Sequence, residues 1–233
     1  MTFTRKPSAA FPGNGINVSR HYLAHWHNTD MSPAAAPSAS LSAIAVYCGS
    51  NPGTDPAFEQ AAASLGRLLA KRGIRLVYGG GHVGLMGAVA DAVLGGGGEA
   101  HGVITRALQD KEIAHLSLTS LRVVETMHER KGAMADAADV FAMLPGGLGT
   151  FEEFFEVLSW SALGIHAKPC GVLDVGGFYD PLRALLDGAV TSGFMHPAHR
   201  DMVLIDSDPS RLLDRLAEWR PAVVEKWIDL ERS

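Results

Sequence analysis

The chain has 233 residues, and its 20 basic and 25 acidic side chains leave a net charge of −5. That balance argues against a nucleic-acid binder, because neutralising phosphates takes clustered Lys and Arg. At 47% hydrophobic and 19% charged the composition supports a buried core and excludes a disordered chain.

Residues 1–40 show no sustained apolar periodicity and no signal-peptide core, and are expected to be a flexible tail. They are acid-poor until Asp30, a trait shared with transit peptides. Met31 opens the run MSPAAAPSAS, which leads straight into the first strand and offers a second start. From Ser42, short apolar runs alternate with amphipathic segments. AIAVYC (43–48) is a strand ending in a Gly-Ser-Asn-Pro-Gly turn. Residues 56–72 place Phe58, Ala62, Leu65, Leu68 and Leu69 at helical spacing, and Gly73 ends that helix. IRLVYG (74–79) is a strand, 84–95 a helix, AHGVI (100–104) and SLRVVE (120–125) strands. Residues 126–138 form a helix that opens on the capping box Thr126…Glu129. DVFAML (139–144) is a strand, 150–163 a helix, CGVLDV (170–175) a strand, 178–192 a helix and MVLID (202–206) a strand, and a last helix starts near Pro209. Strands alternating with crossover helices predict a Rossmann-like three-layer α/β domain with a mostly parallel sheet, one domain over 41–233. In such folds ligands bind beyond the carboxyl ends of the strands.

The 26 glycines gather in a few clusters, which marks local chemistry and not low complexity. Gly79-Gly80-Gly81-His82-Val83-Gly84 follows a strand, opens a helix and fits GxGxxG. No acid ends the next strand and no Lys-Ser/Thr follows, so it is neither a dinucleotide fingerprint nor a Walker loop. It reads as a phosphate or ribose contact, or as a plain tight turn. Pro145-Gly146-Gly147-Leu148-Gly149-Thr150-Phe151-Glu152-Glu153 also joins a strand to a helix. There Thr150 and Glu153 have capping-box spacing, which gives them a structural alternative to a role in binding and chemistry. In Met127-His128-Glu129-Arg130-Lys131 the two cations are adjacent and cannot share a helix face. A solvated pair is the usual fate, but Arg130 lies between Met127 and Met134 on a partly apolar stripe, a better place for a paired charge.

Together CGSNPG (48–53), GGGHVGLMG (79–87), MHERK (127–131), PGGLGTFEE (145–153) and WSALGIHAKPCGVLDVGGFYDPL (160–182) resemble the Lonely Guy (LOG) family, the cytokinin-activating phosphoribohydrolases, over 43–206. The resemblance implies cleavage of the N-glycosidic bond of an N6-substituted adenosine 5′-monophosphate, releasing the base and ribose 5-phosphate. It implies no metal or other cofactor, and a homodimer or higher homo-oligomer with active sites near the interface. It implies Arg130 and Glu153 as the catalytic pair, with Glu112, Lys131, the turn Gly147–Thr150 and Ser159 as substrate contacts. The remainder of that motif, Gly146, Leu148, Gly149, Phe151 and Glu152, joins them, as do Ser50, Gly80 and Gly81 of the other turns. The family commonly has Thr at the place of Ser159, and Pro at the place of Thr105. The label "lysine decarboxylase" often given to such sequences lacks chemical support: none of the six lysines sits in a recognisable pyridoxal phosphate context.

Other groups are assigned blander roles. His21, His25 and His27 lack an acidic or Cys partner for a metal. His196 and His199 flank Pro197 in a surface turn, and His82 borders the first glycine turn, within reach of a ligand there. Phe151, Phe154, Phe155 and Leu158 recur at helical spacing as core, and Leu158, Trp160 and Leu163 offer apolar contact for a partner copy. Cys48 and Cys170 form neither a CxxC pair nor a disulfide framework, which predicts a reduced cytoplasmic protein, and Cys48 reads as a buried strand thiol. No apolar run approaches the roughly 20 residues that span a membrane. Competing functions are a non-catalytic nucleotide carrier or sensor on the same fold and a general AMP nucleosidase.

Overall fold

The computed structural model describes residues 41–109 and 114–221. The expected tail 1–40, with His21, His25 and His27, and the candidate Glu112 lie outside them. The described residues form seven strands: β1 (Ala43–Tyr47), β2 (Arg75–Tyr78), β3 (Ala100–Thr105), β4 (Ser120–Val124), β5 (Val140–Met143), β6 (Cys170–Leu173) and β7 (Val203–Asp206). Between and after them run α1 (Pro56–Arg72), α2 (Gly84–Gly95), α3 (Arg106–Gln109), α4 (Met127–Ala137), α5 (Leu148–Ala162), α6 (Asp180–Thr191), α7 (Pro197–Asp201) and α8 (Pro209–Glu218).

All seven strands pair in parallel, in the order β4-β3-β2-β1-β5-β6-β7. The chain works outward from β1 to β4, then returns to the other side of β1 with β5, where Val46 pairs with Ala142 and Tyr47 with Met143. The gap between the carboxyl ends of β1 and β5 is therefore the topological switch point, where open α/β sheets receive ligands.

Strand alternation divides the core in two. Ile44, Val46, Leu76 and Tyr78 pack under α1, α2 and α8 with Leu65, Val89 and Leu213. Ala45, Tyr47, Val77, Phe141 and Met143 face α4, α5 and α6 with Met134, Phe154, Val157 and Leu186. Each fully buried Leu, Ile or Phe of these layers contributes about 1.5–3 kcal/mol relative to exposure. Local signals set the helix ends. Asp55 caps α1 on Ala57 N at 2.8 Å with Pro56 at the first position, and Gly73 closes it in the left-handed conformation. The capping box of α4 forms as its spacing predicts, with Glu129 N on Thr126 Oγ1 at 3.1 Å.

Three expectations change. The helix after the second glycine turn starts at Leu148, with Gly147 as its cap and no side-chain cap bond. The Thr150…Glu153 capping box is therefore absent, and Glu153 lies in the second turn. The His196–His199 segment is a one-turn helix that His196 itself caps, its Nδ1 accepting from Ala198 N at 3.1 Å. Leu158 is buried in the core and so is not available to a partner copy.

Candidate active site

A cleft of about 440 Å³ opens at the switch point. Its walls are the turn after β1 (Cys48 to Gly53), the turn after β5 with the start of α5 (Pro145 to Thr150, Glu152 and Glu153), and Arg130 and Met127 of α4. Phe58 of α1, Leu85 and Met86 of α2, Leu108 of α3 and Phe178 after β6 complete it.

At this cleft a buried ion pair joins two helices. Arg130, 7% exposed in its side chain, pairs with Glu153, 12% exposed. Arg130 Nε also donates to the Val103 carbonyl at 3.0 Å. The apolar stripe on α4 explains the position: the same face that buries Met134 carries Arg130 inward, and only a partner on α5 makes that burial tolerable, since an unpaired buried charge costs about 3–5 kcal/mol. Gly79 provides the room. A Cβ there would overlap the Arg130 guanidinium. Burial raises the pKa of Glu153, and the charge and hydrogen bond of Arg130 oppose that rise.

Lys131 is also buried, contrary to the fate of a solvated pair. Its Nζ donates to Glu152 and, at 3.0 Å, to Glu156. The hydrogen bonds to the two carboxylates outweigh the lowering by burial and raise its pKa. Adjacent cations do point different ways around α4, but α5 supplies carboxylates to both.

The second glycine turn presents backbone donors. With no side chain capping α5, the N–H groups of Leu148, Gly149 and Thr150 have no partner within the helix, and all three residues line the cleft. Gly146 allows the turn to close on its neighbour. A Cβ on it would overlap the Thr150 hydroxyl and lie 2.9 Å from Gly49 N, whose N–H donates to the Pro145 carbonyl at 3.0 Å. Uncapped N–H groups at the positive end of a 15-residue helix form an anion site.

The first glycine turn is arranged otherwise. Leu85 N and Met86 N, at the start of α2, donate to the Gly49 carbonyl at 3.0 and 3.4 Å. Gly80 and Gly81 are buried and do not line the cleft. Gly80 packs against β3 and β4 through Gly102 and Leu121, and Gly81 bridges to Ala114.

Of the candidates from sequence, the cleft brings together Arg130, Glu153, Ser50, Gly146, Gly147, Leu148, Gly149, Thr150 and Glu152. Lys131, Phe151 and Ser159 do not line it. Ser159 is exposed, its hydroxyl donating to the Phe155 carbonyl at 2.6 Å, and Phe151 packs edge-on against Tyr179. His82 does not line it either. Cys48 lies just past β1, in the cleft floor and not in the strand, and burial pushes its thiol up, which disfavours a thiolate nucleophile. The aromatic edge was not anticipated. Phe58 and Phe178 meet edge to face at 5.6 Å, a contact that the helical spacing of Phe58 does not indicate. The GGFYDP turn after β6 is the signal that points to Phe178. Among the described residues no group of three or more His, Cys, Asp or Glu could hold a metal ion, and no helix is long and apolar enough to cross a membrane.

Comparison with known proteins agrees with this geometry. The family model described as "Possible lysine decarboxylase" matches residues 86–216. A protein of Oryza sativa subsp. japonica named "Probable cytokinin riboside 5'-monophosphate phosphoribohydrolase LOGL9" is 42% identical over 88% of this chain and 99% of its own. The Arabidopsis thaliana protein named "Cytokinin riboside 5'-monophosphate phosphoribohydrolase LOG7" is 45% identical over 76% of this chain and 82% of its own. Among solved structures, a molybdenum cofactor binding protein from Rippkaea orientalis superposes with a TM-score of 0.56 at 22% identity, over 75% of this chain and 94% of that one, a likeness of fold. With its motifs gathered in one cleft and relatives above 40% identity, the chain belongs to the LOG family of cytokinin riboside 5′-monophosphate phosphoribohydrolases.

Proposed function

We infer that this protein hydrolyses the N-glycosidic bond of adenosine 5′-monophosphates, with an N6-substituted nucleotide as the preferred substrate. The observation that carries the reading is the buried Arg130–Glu153 pair beside the uncapped start of α5: a carboxylate and an anion site on one helix. The 5′-phosphate accepts hydrogen bonds from the N–H groups of Leu148, Gly149 and Thr150. The C1′–N9 bond breaks with its electron pair leaving on the base, and the ribosyl group gains oxocarbenium character. Glu153 stabilises that cation and takes a proton from the water whose oxygen bonds to C1′; the proton passes on to the departing base or to solvent. Arg130 keeps Glu153 ionised against the burial that raises its pKa. A carrier has no need of such a carboxylate.

The finer assignments are part of the same proposal. Phe58, Phe178, Leu85, Met86, Leu108 and Met127 give the cleft apolar walls suited to an N6 substituent. Gly146, Glu152 and Ser50, which line the cleft, and Phe151, Ser159 and Glu112, on the strength of the family motifs, remain assigned to the substrate site. Leu163 is 75% exposed at the end of α5 with Ile165 just beyond, a surface for a second copy in a homodimer or larger assembly. Two buried, unpaired thiols suit a reduced cytoplasm. The test is a product assay on AMP and N6-isopentenyl-AMP side by side. Release of ribose 5-phosphate with faster turnover of the isopentenyl substrate is expected. Equal rates would make the protein a general AMP nucleosidase, and intact nucleotides would remove the hydrolase reading.

A further inference from the structure

The resemblance assigns Lys131 to the substrate, yet its side chain is turned to another use. Its Nζ sits between Glu152 and Glu156, it is 9% exposed, and it does not line the cleft. Glu156 does not line the cleft either, and its side chain is 22% exposed. Arg130 and Lys131 are consecutive on α4, and Glu152, Glu153 and Glu156 lie within five residues on α5. Three ion pairs therefore lace the two helices together, and Glu153 is flanked in sequence by a carboxylate that Lys131 holds.

Resting on the hydrolase reading above, we propose that Lys131 is a positioning residue for glycosidic cleavage: by drawing Glu152 and Glu156 of α5 onto α4, it fixes Glu153 opposite Arg130 and does not itself contact the nucleotide. A one-residue offset between the helices explains why the chemistry needs both cations. Arg130 alone could pair with Glu153 over a range of helix separations, because its side chain is long. A second cation gripping α5 one residue before and three residues after Glu153 removes that freedom, and reacting groups displaced by about 1 Å can lose roughly 10²-fold in rate. Lys131 also acts through charge. The groups that bear on Glu153 are Arg130 and Lys131 from α4 and Glu152 from its own helix, with Tyr47 of β1 and Cys48 just past that strand facing it and Glu156 beside Tyr47. After burial and Arg130, Glu152 raises the Glu153 pKa and Lys131 lowers it. Lys131 thus offsets the carboxylate that would otherwise favour protonated Glu153.

The experiment is steady-state kinetics of the full chain with N6-isopentenyl-AMP across pH. Wild-type protein that releases no base would remove the hydrolase reading itself, before any variant is compared. Given an active wild type, Lys131→Met is expected to lower kcat roughly 10- to 100-fold with KM held within about twofold, the pattern of a lost transition-state interaction. Its acid limb of kcat/KM should move to higher pH. Lys131→Arg should restore most of kcat and return the limb. Glu156→Gln, at a position outside the cleft, should lower kcat severalfold with KM unchanged, and it decides the matter alone if Lys131→Met does not fold. A raised KM with unchanged kcat and unchanged acid limb in Lys131→Met would return Lys131 to substrate binding and overturn the proposal, as would wild-type kinetics in Glu156→Gln.

Discussion

The turn after β2, Gly79-Gly80-Gly81-His82-Val83, and the turn after β5, Pro145-Gly146-Gly147, each carry a parallel strand into a helix, and each is rich in glycine. Their helices start differently. The first N–H groups of α2 are taken by the Gly49 carbonyl, so that helix end is spent inside the protein, and Gly79 serves to admit the Arg130 guanidinium. The start of α5 has no side-chain cap and opens on the cleft. Glycine content marks both turns as sites of close approach. What separates them is where the helix N–H groups go, and the Gly49 carbonyl, in the distant turn after β1, decides that for α2.

Substitutions at the two turns should therefore fail in different ways. The largest effect is expected at Gly79→Ala, whose methyl group displaces Arg130: kcat should fall on the order of 10²-fold, while competitive inhibition by inorganic phosphate stays as in wild type. Loss of phosphate inhibition instead would put the anion on the first turn. Gly146→Ala should do the converse, because its methyl group pushes on Thr150 and Gly49 and disturbs the open helix end. KM for AMP and the phosphate inhibition constant should rise about tenfold, equivalent to about 1.4 kcal/mol. Next in size is the pH profile. Burial raises the Glu153 pKa, so the acid limb of kcat/KM should lie above the ordinary carboxylate value of about 4.3, and activity should drop as pH falls through it. Stability follows the opposite sign: a carboxyl group with a raised folded-state pKa contributes stability below its unfolded value and loses it as pH rises through the folded one. The smallest kinetic effect is expected at Gly80→Ala. With φ at +80° the substitution should cost about 1–3 kcal/mol of stability, read as a lower melting temperature, with kcat and KM of the folded protein unchanged.

Strand and helix positions were legible because apolar runs, caps and glycine stops agree along the chain, as at Asp55, Gly73 and Thr126. The inward placement of Arg130 was legible too, from the methionines on either side of it. What escaped depended on distant partners. Thr150 and Glu153 have the spacing of a capping box, but the helix begins at Leu148 with Gly147 as its cap, three residues before Thr150, where the backbone alone makes the turn and no side chain signals it. Lys131 read as solvated because its carboxylates come from another helix. Phe58 carried a core pattern and does pack on the core, yet its ring also meets Phe178 from across the sheet end, a contact that no local period encodes.

The central claim is that Glu153 is the catalytic carboxylate of a phosphoribohydrolase, and Glu153→Gln tests it most directly. Gln keeps the size of the side chain and an oxygen to accept from Arg130, but not the charge. Turnover of N6-isopentenyl-AMP and the melting temperature should be measured on the same preparation. Turnover is predicted to fall by at least ~10²-fold, the scale of a positioned acid–base group, with little change in melting temperature or in AMP affinity. A folded variant with near-normal turnover would contradict the account, because a carboxylate that can be neutralised without loss is not the one that meets the ribosyl cation.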